Sequence, residues 1–103
     1  MNSHPRHDLV EALNHPVRFS FVAALSGVEA LDFASVRDLL EVSDSVLSRQ
    51  ATQLEEQGLI KVKKGYIGKR PRTWFSLTPA GRSSWEKHLS ALREIAQGDI
   101  DVH

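Results

Sequence analysis

The sequence predicts an α+β domain in which three helices are followed by a two-stranded ribbon and a further helix. Apolar residues recur at helical spacing in four segments, and two segments between the third and fourth helices alternate apolar and polar residues as strands do. Residues that begin and end helices stand at the borders of these segments. With 103 residues, the chain is predicted to form one domain with an ordered core over about 8–97.

Composition excludes several classes of protein. The contents of 41% hydrophobic and 25% charged residues are ordinary for a globular domain. The longest apolar run, FVAAL at 21–25, is too short to cross a membrane, and the N-terminal MNSHPRHD lacks the apolar core of a secretion signal. Cysteine is absent, which excludes disulfides, thiolate metal sites and thiol catalysis. We expect a cytoplasmic protein.

The first strong helix is predicted over 16–26. Pro16 suits the first helical position, with Asn14 or His15 as its cap, and Gly27 ends the helix. This segment is apolar on nearly all sides. We therefore expect it to be enclosed, either by the core of the domain or by a partner subunit.

Two shorter helices are predicted next, separated by a tight turn. After an extended LDFAS, the sequence SVRD is a capping box in which Ser35 caps the helix and Asp38 reaches back. The following helix is predicted over 44–57, with Ser43 as its cap and Gly58 as its stop. Helix, turn and helix in this order are the helix-turn-helix pattern.

The helix over 44–57 has two different faces. Leu47, Ala51 and Leu54 lie on one face, which is therefore expected to be buried. Over its first three turns the opposite face is small and polar, and its only charge there is that of Arg49. Such a face is suited to an aqueous or polar partner.

A basic ribbon is predicted over 61–76. The segments LIKVKK and RTWFSLT alternate as strands do, and the glycine-containing loop between them is longer than a tight hairpin turn. Lys69 and Arg70 are expected near its tip. Although the formal charges of the chain cancel to zero, the tract 57–85 contains seven Lys or Arg and no acid. This separation of charge indicates a polyanionic partner.

The arrangement predicts binding to double-stranded DNA, because a helix fits the major groove and a basic ribbon beside it can hold the backbone. Arg49 can pair with guanine, and Gln50 or Gln53 with adenine. The residues predicted to contact bases or the groove are Ser45, Val46, Ser48, Arg49, Gln50, Thr52 and Gln53. Those predicted to contact phosphates or to lie on the ribbon are Lys63, Lys64, Lys69, Arg70 and Arg72.

Three stretches, HPVRFSFVAAL, SVLSRQATQLEEQGLIKVKK and YIGKRPRTWFSLTPAGR, resemble the winged helix-turn-helix DNA-binding regulators related to MarR and ArsR. The resemblance is to small stand-alone members, covers roughly 8–95 and is most specific over 47–82. It implies a homodimer, docking of the helix over 44–57 in the major groove, and transcriptional control, usually repression. Two departures concern regulation: the chain has no cysteine pair for metal sensing, and it lacks the extra helices that shape an effector pocket in larger MarR-like proteins.

Dimerisation is also predicted from the small number of base pairs that one recognition helix can contact. One helix reads only a few base pairs, whereas a two-fold dimer reads two half-sites about one turn (~34 Å) apart. The last helix, which starts at TPAG with Thr78 as cap and is closed by Gly98, adds an apolar stripe to that of the helix over 16–26. The residues predicted at the interface are Leu9, Leu13, Phe19, Val22, Trp85, Leu89, Leu92, Ile95 and Ala96.

Other functions find less support in the sequence. No nucleophile elbow, P-loop or dinucleotide glycine pattern occurs, and the histidines follow no zinc spacing, so we predict no enzyme, no cofactor and no metal. The alternative is a winged-helix protein–protein interaction module without DNA binding, against which the basic ribbon argues. The operator, the direction of regulation, any effector, and metal binding by the N-terminal histidines stay open.

Overall fold

A computed structural model describes residues 4–101 and the side chains of 4–98. The elements follow the predicted order, with helices before and after a β-ribbon. The helices are α1 (Pro16–Ser26), α2 (Phe33–Leu40), α3 (Asp44–Glu56) and α4 (Pro79–Asp101). The strands are β1 (Leu31–Asp32), β2 (Ile60–Ile67) and β3 (Arg70–Leu77). Two 3₁₀ turns, Pro5–Asp8 and Glu11–Leu13, precede α1. The α+β winged-helix fold class is therefore confirmed.

The start of α1 follows the sequence closely. Pro16 occupies the first turn, and the cap is His15, whose Nδ1 accepts a hydrogen bond from the backbone N–H of Val17 at 3.2 Å. The helix ends at Ser26, with Gly27 as its C-cap. Since Phe21, Val22 and Leu25 are fully buried, the domain's own core encloses much of this apolar helix.

The start of α2 differs from the prediction. The cap is Asp32, at the end of β1, whose carboxylate accepts hydrogen bonds from both the backbone N–H and the hydroxyl of Ser35. The expected capping box with Ser35 as cap is therefore wrong. An ionised carboxylate is a strong acceptor for the free N–H groups of a first turn, and Asp32 lies at the position where the chain leaves its extended conformation.

The sheet contains one strand more than predicted. Its order is β1-β3-β2, antiparallel throughout, with Leu31 opposite Phe75 and Asp32 opposite Trp74. The β1 segment was predicted to be extended, but two residues are too few to show the alternation of apolar and polar residues that would indicate a place in the sheet. Its effect is to tie the start of α2 to the base of the ribbon.

The ribbon ends in a tight turn, and the prediction of a longer loop is wrong. Ile67 lies opposite Arg70, which leaves only Gly68 and Lys69 between the strands. Gly68 has a φ of 62°, the positive value that a type II′ hairpin turn requires at its first central position and that glycine adopts without strain. The paired strands therefore continue almost to the tip.

The core lies between α1, α2, α3 and one face of the sheet. Phe21 of α1 meets Phe75 of β3 edge to face, with ring centroids 5.0 Å apart. The buried hydrophobic residues around them are Leu13, Val22, Leu25, Val36, Leu47, Ala51, Leu54, Leu59 and Ile60. This cluster holds α3 by one face only and leaves the other face free.

Helix α4 is anchored where β3 ends. The Thr78 hydroxyl accepts the Gly81 N–H at 2.8 Å and donates to the Gly58 carbonyl at 2.6 Å, so one side chain joins the end of α3 to the start of α4. A Cβ on Gly81 would overlap the carbonyl of Leu59, which restricts this position to glycine. The predicted end of the helix at Gly98 is wrong, because α4 continues through that residue to Asp101. Within 4–101, no helix combines the length and the apolar character needed to cross a bilayer.

Candidate nucleic-acid interface

The exposed face of α3 is the centre of the candidate site. Ser43 caps this helix by accepting the Val46 N–H at 3.2 Å, as predicted. Val46 itself is half-buried. Five of the seven residues predicted to contact the groove are exposed to solvent: Ser45, Ser48, Arg49, Thr52 and Gln53. The helix thus presents hydroxyls, an amide and a guanidinium along one side.

Gln50 is not part of that surface. Only 7% of this residue is exposed, and its Oε1 accepts a hydrogen bond from Arg18 Nη1 at 2.9 Å. The prediction that it contacts DNA is corrected, because its position on α3 lies toward α1 and its amide has a partner within the chain. Of the two glutamines considered for base contact, only Gln53 is accessible.

Arg18 of α1 donates hydrogen bonds to two side chains of α3, a role that the sequence did not predict. Its Nε donates to the Ala12 carbonyl at 2.6 Å, and its Nη1 donates to Gln50 Oε1 at 2.9 Å and to Gln53 Oε1 at 2.6 Å. None of the three ion pairs formed by the described side chains includes Arg18. A signal was present, since Arg18 is the one charged residue of an otherwise apolar helix and a half-buried guanidinium needs acceptors.

A second arginine connects α2 and α3. Arg37 contacts Asp38 at 2.9 Å and Asp44 at 3.1 Å, so it links the last turn of α2 to the first turn of α3. The two carboxylates raise the pKa of Arg37, Asp38 most of all. Both carboxylates are largely exposed, so these ion pairs connect the two helices but add little to the stability of the fold.

One face of the ribbon shares a cleft with α3. Strand residues alternate between faces, and Lys64 lies opposite Thr73 on the face that carries the buried Phe75. Lys64 and Thr73 line this cleft together with Ser48 and Thr52 of α3. An ammonium group and three hydroxyls therefore border the space between helix and ribbon. Glu55 lies at the same cleft and is its acidic member.

The predicted set of phosphate-binding residues divides between the two faces of the ribbon. Lys63 lies opposite Trp74, on the face turned away from α3, so the structure does not bring it together with the cleft. Lys69 and Arg70 stand at the exposed tip, beside Tyr66, which is 74% exposed. None of Lys63, Lys64, Lys69 and Arg70 has a carboxylate partner among the described side chains.

Arg72 is engaged at the base of the ribbon. Its Nη1 lies 3.8 Å from Asp32 Oδ2, and its guanidinium lies 5.8 Å from the centre of the Trp74 ring. The Ser35 hydroxyl, and to a smaller extent Arg72, hold the pKa of Asp32 below its usual value. Arg72 therefore neutralises a cap of its own chain, and its predicted role as a phosphate contact is weakened accordingly.

Fewer residues than predicted are accessible for a dimer interface in the structure. Leu13 and Val22 are buried in the core of the chain, with 2% and 0% exposure, and cannot contact a partner. Phe19 is half-buried and packs on Trp85 with ring centroids 5.0 Å apart. The predicted residues that keep accessible surface along α4 are Trp85, Leu89, Leu92, Ile95 and Ala96, and Leu9 keeps some in the N-terminal segment.

Histidine positions do not converge on a metal site within the described part of the chain, where no group of three or more His, Asp or Glu could hold an ion. His4, His15 and His88 each use Nδ1 to accept a backbone N–H. For His88 that donor is Val10, at 2.9 Å. The neutral imidazole of this buried side chain thereby fastens the N-terminal segment to α4.

Comparison with known proteins agrees with this geometry. Residues 17–96 match the model of a family described as winged helix DNA-binding domain. An uncharacterized protein of Methanocaldococcus jannaschii is 26% identical over 88 residues, which are 85% of this chain and 96% of that protein. A transcriptional regulator homologue from Pyrococcus horikoshii superposes with a TM-score of 0.80 and 28% identity over 88% of this chain and 89% of that one. A probable transcriptional regulator from Pseudomonas aeruginosa gives a TM-score of 0.68 and 25% identity, with 81% and 62% covered.

Proposed function

We propose that this chain, which belongs to the winged helix DNA-binding domain family, acts in the cytoplasm as a homodimeric repressor of transcription. It would bind a specific duplex site, with α3 in the major groove and the ribbon, here called the wing (β2, β3 and their turn), on the backbone or in the minor groove. We assign it no catalytic role.

The observation that carries this proposal is the shared surface of α3 and the wing. Ser45, Ser48 and Thr52 are short, polar and exposed, so this side of the helix can approach base edges closely around Arg49. A helix about 10–12 Å across fits a groove about 12 Å wide. Lys64 borders the cleft beside α3, so its ammonium group is available to the phosphate backbone of a duplex docked on α3.

Roles follow from the chemistry of each group. The guanidinium of Arg49, which is exposed and outside the three ion pairs of the described side chains, suits O6 and N7 of guanine. Ser45, Ser48 and Thr52 are within the same exposed strip and offer hydroxyls to bases or phosphates. The tip residues Lys69 and Arg70 supply charge for phosphates or the minor groove.

Dimerisation is supported by the shape of the chain. Its principal extents are 62 × 25 × 21 Å, and its radius of gyration of 15.8 Å exceeds the roughly 13 Å typical of a compact chain of this length. Helix α4 has 23 residues, a length of about 34 Å, which is more than either short dimension of the chain. A second copy packed against the apolar stripe of α4 would cover it and place two α3 helices for two half-sites.

Selection of bound duplexes from a random pool, at two salt concentrations, tests this function. The wild type should enrich an inverted repeat with half-sites about 10 base pairs apart. Arg49→Ala should lower the preference for that site over random duplex by about 1–3 kcal/mol, because one bidentate base contact is lost. Arg93→Ala, which removes an exposed cation from α4, is the matched control and should keep the preference.

Two results would count against the proposal. If no duplex is enriched and binding is weak at both salt concentrations, the protein-interaction module becomes the better reading. If the site is enriched but Arg49→Ala and Arg93→Ala lower its preference equally, α3 does not read the bases through Arg49.

A further inference from the structure

The amide of Gln53 has a defined orientation. Arginine carries only N–H donors, so the atom it contacts at 2.6 Å must be the amide oxygen of Gln53. Its Nε2, with two N–H donors, then points away from Arg18. The exposed end of Gln53 is therefore a hydrogen-bond donor.

The guanidinium that fixes this orientation is itself fixed. Arg18 donates to the backbone carbonyl of Ala12 at 2.6 Å and to the buried Gln50 amide at 2.9 Å, from two neighbouring elements. Its side chain is half-buried, so water competes weakly for these bonds. Gln53 is thus oriented before it meets DNA, which lowers the side-chain entropy lost on binding.

We infer that Arg18 is a positioning residue that sets the base preference of α3 by presenting Gln53 as a donor. An unrestrained glutamine pairs with adenine through both amide atoms, since its oxygen accepts from N6 and its nitrogen donates to N7. With its oxygen held by Arg18, Gln53 favours bases that offer acceptors alone, guanine through O6 and N7 or thymine through O4. This inference rests on the proposed docking of α3 in the major groove.

The surroundings favour a base edge over a phosphate as the partner. Glu11 and Glu56 line the same recess as Arg18 and Gln53. These two carboxylates outnumber the single guanidinium of Arg18, so the recess has no excess of positive charge that would favour a phosphate over a neutral base edge. The donors of Gln53 are accordingly assigned to a base.

The first test uses Gln53 variants, which change an exposed side chain and leave the core intact. In a duplex selection, Gln53→Ala identifies the position that Gln53 reads, because the preference there disappears. The wild type should favour guanine or thymine over adenine at that position, roughly fivefold, the effect of one hydrogen bond. Gln53→Glu, which can only accept, should shift the preference to cytosine, whose N4 donates.

The second test removes the Arg18 guanidinium that holds the amide oxygen of Gln53. Arg18→Met should shift the same position toward adenine and leave the other positions unchanged, whereas Arg18→Lys, whose ammonium group also only donates, should retain guanine or thymine. Combined with Gln53→Ala, Arg18→Met should change no base preference further. That double variant separates an effect through Gln53 from a general displacement of α3.

The outcomes are separable from those of the proposed function. A wild type that favours adenine at the Gln53 position overturns the inference, as does a Gln53→Ala variant with unchanged preferences, while the regulator stands. An equal shift by Arg18→Met with and without Gln53 also overturns it. A wild type that enriches no duplex overturns the inference and the proposed function together.

Discussion

Helices α3 and α4 both leave one side uncovered, but the two sides differ in chemistry. The open side of α3 carries the hydroxyls of Ser45 and Thr52 and the guanidinium of Arg49. The open side of α4 carries the hydrocarbon of Leu89 and Leu92, the latter 38% exposed. Hydrogen-bonding groups suit base edges, whereas hydrocarbon suits a protein partner, and this contrast supports the proposal that α3 serves recognition and α4 serves assembly.

The basic residues show the same division. Within the acid-free tract, Arg72 approaches Asp32, and Arg82 donates to the Ser26 carbonyl at 3.2 Å. Lys69 and Arg70 belong to none of the ion pairs formed by the described side chains. The count of basic residues in the sequence therefore overstates the charge available to DNA, which remains free at the wing tip and at Lys63 and Lys64 among the described side chains.

The largest expected effect comes from breaking assembly on α4. Leu92→Glu places a carboxylate in the apolar stripe, and we expect monomers in sedimentation velocity experiments. Because a linked pair of binding modules gains about 10²- to 10⁴-fold in avidity, affinity for the inverted repeat should fall within that range. Affinity for a single half-site should change little.

The matched control is Gln97→Glu, which adds the same charge to α4 at an exposed position outside the stripe. It should remain dimeric with wild-type affinity. Dimers of Leu92→Glu at micromolar concentration, or equal losses for the two variants, would contradict the assignment of this surface to assembly.

A smaller effect is expected from the wing. Replacing Lys69 and Arg70 together by alanine should weaken binding to all duplexes and reduce the slope of log affinity against log salt by about 1.8, or about 0.9 for each phosphate contact. Lys87→Ala with Arg93→Ala removes two exposed cations from α4 and is the control. Equal slopes for the two double variants would show that the wing tip does not contact phosphates.

The smallest effect concerns His88, which is buried between α4 and the N-terminal segment. Burial lowers the pKa of His88, and its Nδ1 accepts the Val10 N–H, so the folded chain favours the neutral imidazole. The unfolded chain binds the proton more readily, and the free energy of unfolding should therefore fall as pH drops below about 6.5, by at most about 1.4 kcal/mol per pH unit.

Urea unfolding at pH 7.5 and pH 5.5 measures this effect. His88→Gln, which can still accept the Val10 N–H but does not titrate, should lose less stability between the two pH values than the wild type does. The same pH dependence in both proteins would show that other groups are responsible.

Much of the fold could be predicted from local patterns. Apolar periodicity and caps such as Ser43 and Thr78 located α3 and α4, because these signals act within a few residues. The extended conformation at LDFAS was predicted, but the pairing of Leu31–Asp32 with β3 was not, because it depends on residues far along the chain. Asp32, rather than Ser35, caps α2, and this too could not be predicted because the position of Asp32 depends on the pairing of β1 with β3.

The candidate site divides in a similar way. The outward face of α3 followed from 100° per residue, and its central residue Arg49 is exposed as expected. Gln50 stands at the margin of that face, and the sequence could not show that Arg18, distant along the chain, would bury and bond it. Whether a residue at the margin of a helix face is exposed depends on contacts with other elements, whereas helical periodicity is enough to predict the exposure of a residue at its centre.

Methylation of guanine N7 by dimethyl sulfate measures major-groove occupancy most directly. On a selected duplex, the wild-type protein should protect guanines in two patches one helical turn apart, and Arg49→Ala should lose protection of one guanine in each patch. Full methylation of every guanine in a duplex that the protein demonstrably binds would contradict the placement of α3 in the major groove.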